Sequence, residues 1–183
     1  MAEPPLSPLA THIQTTLPSR PPPAPQTTAH HALALQVQHN LQHAHQWTSL
    51  QLHTHSPLAP HAPLPRPLLS GMPPRRLYIH PDEQVEILKE QAARRNAGEA
   101  VDEPRPEREW VVPTHLREKW TLARLAGVFD RVGQVPPAPD GEGEGEEAGK
   151  WRTVKRAMLG IVEDDSTVVY YLVHDGLVKP RQN

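Results

Sequence analysis

The chain has 183 residues, a formal net charge of -2 and no Cys, which excludes disulfides and thiolate metal sites and argues against strong autonomous nucleic-acid binding. Its 23 Pro and 4% aromatic residues, with a mean hydropathy of -0.60, predict one modest domain with loose segments, because such stretches bury too little apolar surface to offset chain entropy. No apolar run approaches the roughly 20 residues of a membrane span, and we expect none.

The N-terminal part divides at about residue 30. Residues 1–29 are rich in Pro, Ser and Thr and are predicted to form a disordered leader, followed by a single domain over 30–183. From His30 to Trp47 apolar residues recur with a helical period, which predicts an amphipathic helix. From Thr48 to Thr54 apolar and polar residues alternate, which predicts a half-buried strand.

The same part of the chain is rich in His. His39 and His43 have the i, i+4 spacing of a helical zinc site, but they lie opposite the apolar stripe of the predicted helix and no carboxylate is near to orient them. A solvated helix face is the preferred interpretation. A His/Pro-rich metal-binding or nuclear scaffold protein remains the alternative, and no cofactor site is predicted.

The middle of the chain alternates loops with short elements. Flexible loops are predicted at 57–74, 97–108 and 133–149, the first dense in Pro and the last rich in Gly and Glu. Between the loops, residue patterns predict a strand at Arg75–His80, a helix at Asp82–Asn96, a strand at Glu109–Pro113, and a helix that is capped by Thr121 and extends to Val132.

The C-terminal stretch holds the strongest strand signals. Two apolar runs, Met158–Val162 and Thr167–Val173, flank the acidic cluster Glu163–Ser166, a pattern typical of a β-hairpin. Asp175-Gly176 predicts a second tight turn before a third short strand at Leu177–Val178. Because both faces of the second run are apolar, we expect this chain or another to cover each face. The order of elements predicts a mixed α/β (α+β) domain.

The sequence carries no motif of a known catalytic site. It has no Gly-rich phosphate loop, no Gly-x-Ser-x-Gly turn and no metal signature. The pairs Arg75-Arg76 and Arg94-Arg95, and the cluster Lys150, Arg152, Lys155 and Arg156, are interpreted as ordinary surface charge rather than as phosphate contacts.

The segment LGIVEDDSTVVYYLVHDGLVKPRQN at 159–183 resembles the smallest, non-catalytic subunit of the eukaryotic tRNA-splicing endonuclease, in its fungal form. WVVPTHLREKWTLARLAGVFDRV at 110–132 and LYIHPDEQ at 77–84 support the resemblance. It implies a tRNA-intron endonuclease-like fold with C-terminal antiparallel strands. It also implies a heterotetramer of two catalytic and two structural subunits, which excises introns from precursor tRNA and leaves 2′,3′-cyclic phosphate and 5′-hydroxyl ends.

The resemblance further implies two contact sites and a location. An acidic loop that docks into a basic pocket of the opposite dimer corresponds to Glu163, Asp164 and Asp165. The family is nuclear in many eukaryotes, which is our expectation here, and lies on the cytosolic face of mitochondria in some fungi. The strand that pairs with a catalytic subunit corresponds to Val168, Val169, Tyr170, Tyr171, Leu172, Leu177 and Val178.

Catalytic members of the family use a Tyr, a His and a Lys to cleave RNA. Lys155 lies near the lysine position, but the Tyr-containing Gly/Phe-rich motif and the His-Ser-x-aromatic segment have no counterpart in this sequence. The resemblance therefore implies a structural subunit that is not itself an enzyme. When its partner is absent, such a subunit could form a homodimer through the same strand edge; a self-sufficient homodimeric RNase is a third interpretation.

Overall fold

The structure, a computed structural model, describes residues 25–98, 100, 104–138 and 151–176. The mixed α+β class predicted from the order of elements is confirmed. None of the helices in these ranges is both long enough and apolar enough to cross a membrane. The elements are α1 (Pro25–His43), β1 (Thr48–His55), β2 (Pro63–Met72), α2 (Pro81–Asn96), β3 (Glu109–His115), α3 (Leu122–Phe129), β4 (Arg156–Val162) and β5 (Val168–His174).

The strands form one sheet in the order β1-β2-β3-β4-β5. Neighbouring strands are antiparallel except β3 and β4, which run parallel from the pair Trp110↔Ala157 to the pair His115↔Val162. The central strand β3 is buried from Glu109 to Thr114. A strand that is covered on both faces reads as a nearly continuous apolar run, which is why the segment around Val111 was recognised from sequence.

Each face of the sheet carries its own apolar core. α1 covers one face, where Val37 and Leu41 pack with Leu69 and Val111. α3 covers part of the other face, where Phe129 belongs to a second cluster of buried side chains, with Leu64, Leu68, Trp110, Val112, Val128, Val132 and Ala157.

α1 approaches β4 most closely at Gly160. A Cβ atom at this position would lie 2.9 Å from Val37 Cγ1 and 3.2 Å from Tyr170 Cε1. The first distance is shorter than van der Waals contact, so a larger residue would push α1 away from the sheet. Glycine at this position therefore allows α1 to pack directly against β4.

The predicted starts of α2 and α3 and the predicted hairpin are confirmed. Thr121 Oγ1 accepts a hydrogen bond from Arg124 N at 3.2 Å and caps α3. α2 begins with Pro81 in its first turn, and the His80 ring caps it by accepting from Asp82 N at 3.2 Å. β4 and β5 pair antiparallel over their full lengths.

The prediction of a loop over 57–74 is wrong for residues 63–72, which form β2. A segment so dense in Pro predicts a loop, because Pro lacks the backbone donor that a strand uses in pairing. Pro65 and Pro67 are tolerated because they fall in an irregularity of the β1–β2 ladder, between the pairs His53↔Leu68 and His55↔Pro63. β3 pairs with β2 only beyond these prolines, from Leu69 to Gly71.

The strand predicted at Arg75–His80 is also wrong, since no strand occurs there. Side chains of this segment instead stabilise the start of α2. His80 caps the helix, and Arg76 binds Glu83 of the first turn with an Nη1–Oε1 distance of 2.7 Å. Two further boundaries differ, because α1 begins at Pro25 rather than His30 and β3 continues through Pro113.

Several predictions lie outside the described residues. These are the third strand at Leu177–Val178, most of the leader (1–24) and most of the Gly/Glu-rich loop (139–149).

Candidate subunit-contact site

The sheet ends in β5, which is an edge strand in the part of the chain that the structure describes. One side of β5 pairs with β4, from Val162↔Val168 to Arg156↔His174, and among the described strands none pairs with the other side. The outer side of an edge strand presents backbone N–H and C=O groups that can bond a further strand. This edge therefore has the chemistry for pairing with another chain.

One face of the β4–β5 hairpin carries an exposed apolar patch. Val169 is 44% and Tyr171 57% exposed, and they pair across the strands with the half-buried Ile161 and Leu159. Cross-strand partners on one face lie side by side, so these four residues form one contiguous surface, which we call the open patch. Contiguous exposed apolar surface of this kind marks contact sites.

The opposite face of β5 is covered by α1. Val168 and Tyr170 pack against the core beneath that helix, and the Tyr170 hydroxyl donates to Asn40 Oδ1 at 2.7 Å. Burial raises the pKa of Tyr170, so the group stays a neutral hydrogen-bond donor. Leu172, paired with Met158, is half-buried. The chain thus covers one face of β5. On the other face Val173 packs against the α3 side of the core, whereas Val169 and Tyr171 stay exposed.

The acidic turn that joins β4 and β5 is fixed by its own hydrogen bonds. Glu163 N donates to Thr167 O at 2.9 Å and Ser166 N donates to Glu163 O at 3.0 Å. Ser166 has a φ of 71°, as expected for the residue that follows a type I turn in a three-residue hairpin loop. Asp165 Oδ1 accepts from Thr167 N at 2.8 Å, and this bond lowers the pKa of Asp165.

The middle carboxylate of the turn is paired within the chain. Asp164 contacts Arg117, and its Oδ1 lies 3.1 Å from His115 Nε2. All three side chains are at least partly exposed, and ion pairs of this kind contribute little free energy in water. Asp164 can therefore exchange these partners for a cation on another chain at small cost.

A second charged cluster is buried at the other end of the hairpin. Arg156 Nη2 lies 2.5 Å from both Glu109 Oε1 and Glu107 Oε2. Arg152 reaches Glu109 Oε2 at 2.9 Å, and Arg76 reaches Glu107 Oε1 at 2.5 Å. Burial alone would lower the pKa of Arg156, but hydrogen bonds and the negative charges of Glu109 and Glu107 raise it. The cluster thus joins three arginines to two glutamates, and Arg76 also binds Glu83 of α2.

One sequence prediction is wrong at this cluster, because Arg152 and Arg156 are buried rather than ordinary surface charge. The predicted loop over 97–108 holds no helix or strand in its described residues, and Glu107 and Arg108 at its end are buried. The register Trp110↔Ala157 places Glu109 beside Arg156, a proximity that arises only when β3 and β4 pair. No local pattern in the sequence indicates this contact, because Glu107 precedes β3 and lies 49 positions from Arg156.

Lys155, at the position that resembles the family's catalytic lysine, has a structural contact. Its Nζ donates to Phe129 O at 2.7 Å. Phe129 is the last residue of α3, and the final carbonyl groups of a helix lack helical partners. Lys155 therefore satisfies one of these carbonyls and places a positive charge at the negative end of the helix.

The two His residues considered as a zinc site lie on the exposed side of α1. The His39 and His43 rings have centroids 4.4 Å apart. Among the residues that the structure describes, no group of three or more His, Asp or Glu side chains is arranged to hold a metal ion. The metal-binding alternative thus has no support from the geometry.

The residues that the structure describes define an α+β protein whose strands form one sheet. In these residues the β5 edge is unpaired and lies beside an apolar patch, an arrangement by which chains can add a strand from a partner. The family comparison is specific: a model of the Sen15 protein family matches residues 36–183. The chain belongs to that family. The resemblance identified from residues 159–183 is confirmed.

Curated fungal proteins of similar sequence agree. The probable tRNA-splicing endonuclease subunit tsp-1 of Neurospora crassa is 45% identical over 157 residues, which cover 83% of this chain and 66% of that protein. The probable subunit sen15 of Schizosaccharomyces pombe is 38% identical over 78 residues, covering 41% of this chain and 50% of that protein. The tRNA-splicing endonuclease subunit SEN15 of Eremothecium gossypii is 27% identical over 148 residues, which cover 80% of this chain and 87% of that protein. The chain thus spans just under two thirds of the first relative and half of the second.

Proposed function

We propose that this chain is a structural subunit of a tRNA-splicing endonuclease and that the open patch and the free edge of β5 contact another subunit. The observation that carries the proposal is that an exposed apolar patch adjoins a strand edge with which no described strand pairs. A partner strand would satisfy the outward backbone groups of β5, while the partner's apolar side chains cover Val169 and Tyr171. The relatives named as subunits of this enzyme support the same function.

The proposal includes the assembly implied by the family resemblance. The chain takes one of two structural positions in a heterotetramer that also holds two catalytic subunits and acts on precursor tRNA. Leu177 and Val178 extend the proposed contact beyond the described residues.

The acidic turn is proposed as a second contact, with a basic pocket on the opposite pair of subunits. Its backbone is already held by the bonds of Glu163, Asp165 and Ser166, so little ordering entropy is lost on docking. The exposed pair between Asp164 and Arg117 is exchanged for a cation of the partner. Charge complementarity of this kind fixes the relative orientation of the two pairs.

The chain is proposed to have no cleavage activity of its own. Cleavage by the catalytic members needs a base, an acid and a cation around the reacting phosphate. Lys155 is the one family position that the sequence matches, and its amino group bonds the carbonyl of Phe129. The complex would therefore cut precursor tRNA with groups of other subunits.

The assembly proposal is tested by reconstitution. The tagged chain is expressed with the other three endonuclease subunits of its own organism, as wild type and as Tyr171→Asp. The wild type is expected to copurify all three, whereas the variant retains less than a tenth, because a charge in the patch would be buried without a partner. The matched control is Leu88→Asp on α2, since Leu88 is 56% and Tyr171 57% exposed.

Circular dichroism melts of the isolated chains check that each variant is folded. Full copurification by folded Tyr171→Asp, or equal loss by Leu88→Asp, would contradict the proposed contact.

The catalytic part of the proposal has a separate test with intron-containing precursor tRNA. The isolated chain is expected to leave it intact, and the reconstituted complex to release the intron. A complex with Lys155→Ala is expected to cleave at the wild-type rate. Cleavage by the isolated chain, or an assembled but inactive Lys155→Ala complex, would show that this subunit takes part in the chemistry.

A further inference from the structure

A cleft of about 220 Å³ lies at the end of the hairpin opposite the acidic turn. It is formed by the start of α2, the segment that precedes β4 and the end of β5. No side chain of the open patch or of the acidic turn lines it. Its lining includes four ring side chains and two arginines, which are Tyr78, His80, Trp151, His174, Arg152 and Arg156.

The rings give the cleft flat apolar walls. His80 lies nearly parallel to Trp151, with ring centroids 5.8 Å apart and 20° between their planes. Tyr78 meets His174 edge-on, with centroids 4.9 Å apart. Aromatic faces that converge from separate segments are the feature by which proteins bind unstacked bases of single-stranded RNA.

The charges of the cleft favour a neutral ligand over a phosphate. Arg152 and Arg156 lie in the wall, but each is bound to a buried carboxylate of Glu107 or Glu109. A phosphate would have to compete with these carboxylates for the same N–H groups. The guanidinium of Arg156 also lies 5.3 Å from the centre of the Tyr78 ring, so it polarises the aromatic wall.

His174 adds a polar ring to the lining of the cleft. Its Nε2 is buried and, among the described residues, has no hydrogen-bond partner. Buried polar atoms in native structures are nearly always paired, and the edge of a nucleobase carries both donors and acceptors. Burial and the neighbouring Arg156 lower the pKa of His174, so its ring is neutral at physiological pH and can face a neutral base.

The size of the cleft limits the ligand to one base. Sites for drug-sized molecules enclose about 300–1,000 Å³, and this cleft has about 220 Å³. A large cofactor or a duplex does not fit.

We propose that the cleft binds one unpaired base of RNA, with the base stacked on Trp151 and its edge toward His174. The preference for a planar neutral ring follows from the cleft itself. The assignment to RNA rests on the proposed function, in which the chain is part of a complex that acts on precursor tRNA. The contact adds to substrate positioning at a distance from the cleavage chemistry.

The test is a titration of the full-length isolated chain, followed by the NMR signal of the Trp151 indole. The probes are hexa-adenylate, an abasic ribose-phosphate hexamer of equal charge, and adenosine monophosphate. Hexa-adenylate is expected to shift the Trp151 signal and to bind about tenfold more tightly than the abasic hexamer, since stacking on an aromatic side chain contributes that much or more. Adenosine monophosphate is expected to bind more weakly than the hexamer.

Two variants at one position provide the matched control, measured by the anisotropy of labelled hexa-adenylate. Trp151→Leu keeps an apolar side chain without a ring face and is expected to weaken binding about tenfold. Trp151→Phe keeps a ring face and is expected to stay within about threefold of wild type.

Several outcomes would overturn the proposal. Equal binding of the abasic hexamer would identify a backbone contact, and equal binding of adenosine monophosphate would identify a free-nucleotide site. If hexa-adenylate did not bind, or if Trp151→Leu did not weaken its binding, the cleft would not be a base-binding site. Copurification with the other subunits is expected to be unchanged in Trp151→Leu, so failure of base binding and failure of assembly are measured separately.

Discussion

The two faces of the β4–β5 hairpin come from alternate residues of the same strands, but they are built differently. The face toward α1 is closed, because Gly160 admits the helix and Tyr170 bonds it, and the buried cluster around Arg156 completes its far end. The other face leaves Val169 and Tyr171 exposed. Substitutions on the closed face should therefore change the stability of the isolated chain, and those on the open face should change assembly.

The largest loss of free energy of unfolding is expected from Glu109→Gln, at the buried end of the closed face. The change leaves the positive charges of Arg152 and Arg156 without a full counter-charge, and breaking a buried ion pair costs about 3–5 kcal/mol. Urea unfolding of the isolated chain measures the loss. The control is Glu163→Gln in the exposed turn, which should change stability by less than about 0.5 kcal/mol. Similar values for the two variants would contradict this account of the cluster.

A smaller loss is expected from Gly160→Val. The added side chain meets Val37 and Tyr170, and overpacking of this kind costs about 1–3 kcal/mol. On the open face, Val169→Ala should cost less than about 1 kcal/mol because the side chain is already 44% exposed. Thermal and urea unfolding measure both variants. If Val169→Ala lowered the free energy of unfolding more than Gly160→Val, the distinction between the two faces would be wrong.

The two adjacent tyrosines give the closest comparison. Tyr170→Phe removes the hydrogen bond to Asn40 and is expected to lower the free energy of unfolding by about 1 kcal/mol. Tyr171→Phe should leave it unchanged within about 0.5 kcal/mol. The difference between the two urea midpoints is the measurement, and equal midpoints would show that the Tyr170 bond contributes nothing.

The last comparison concerns pH and the ion pairs of Glu118 with Arg66 and Arg124 on the α3 side of the sheet. Burial alone would raise the pKa of Glu118, but the Thr114 hydroxyl and the guanidinium groups of Arg66 and Arg124 lower it from 4.5 to about 2. A depressed carboxyl pKa stabilises the fold above the unfolded value, and this contribution is lost as pH falls from 4.5 to about 2.

The comparison with Glu118→Gln isolates that contribution. The stability difference between wild type and variant is expected to be constant above pH 4.5 and to shrink toward about pH 2. Urea unfolding at several pH values measures it. A difference that does not depend on pH would exclude this role of Glu118.

The elements recognised from sequence are those whose signals are local. The Thr121 cap and the polar cluster at 163–166 each lie within a few residues of the element that they define. β2 was missed because its prolines are tolerated only through the irregular pairing with β1. The ion pair of Glu109 and Arg156 joins residues 47 positions apart, and no local pattern reveals it.

The strand at Val168–His174 could be predicted from the sequence, but the difference between its two faces could not. The run from Val168 to Val173 is apolar at every position, so alternation could not indicate which face this chain covers. The decisive feature is Gly160 on the neighbouring strand, which brings α1 against Tyr170. Only the register of β4 and β5 connects the two residues.

Hydrogen–deuterium exchange of β5, in the isolated chain and in the reconstituted complex, tests the central claim most directly. If another subunit pairs with the free edge, the outward amides of Val168–His174 should exchange rapidly in the isolated chain and at least about tenfold more slowly in the complex, as newly bonded backbone groups do. The amides of α2 should exchange equally in both. Unchanged exchange of β5 in a complex that has assembled and cleaves precursor tRNA would show that the subunits meet elsewhere.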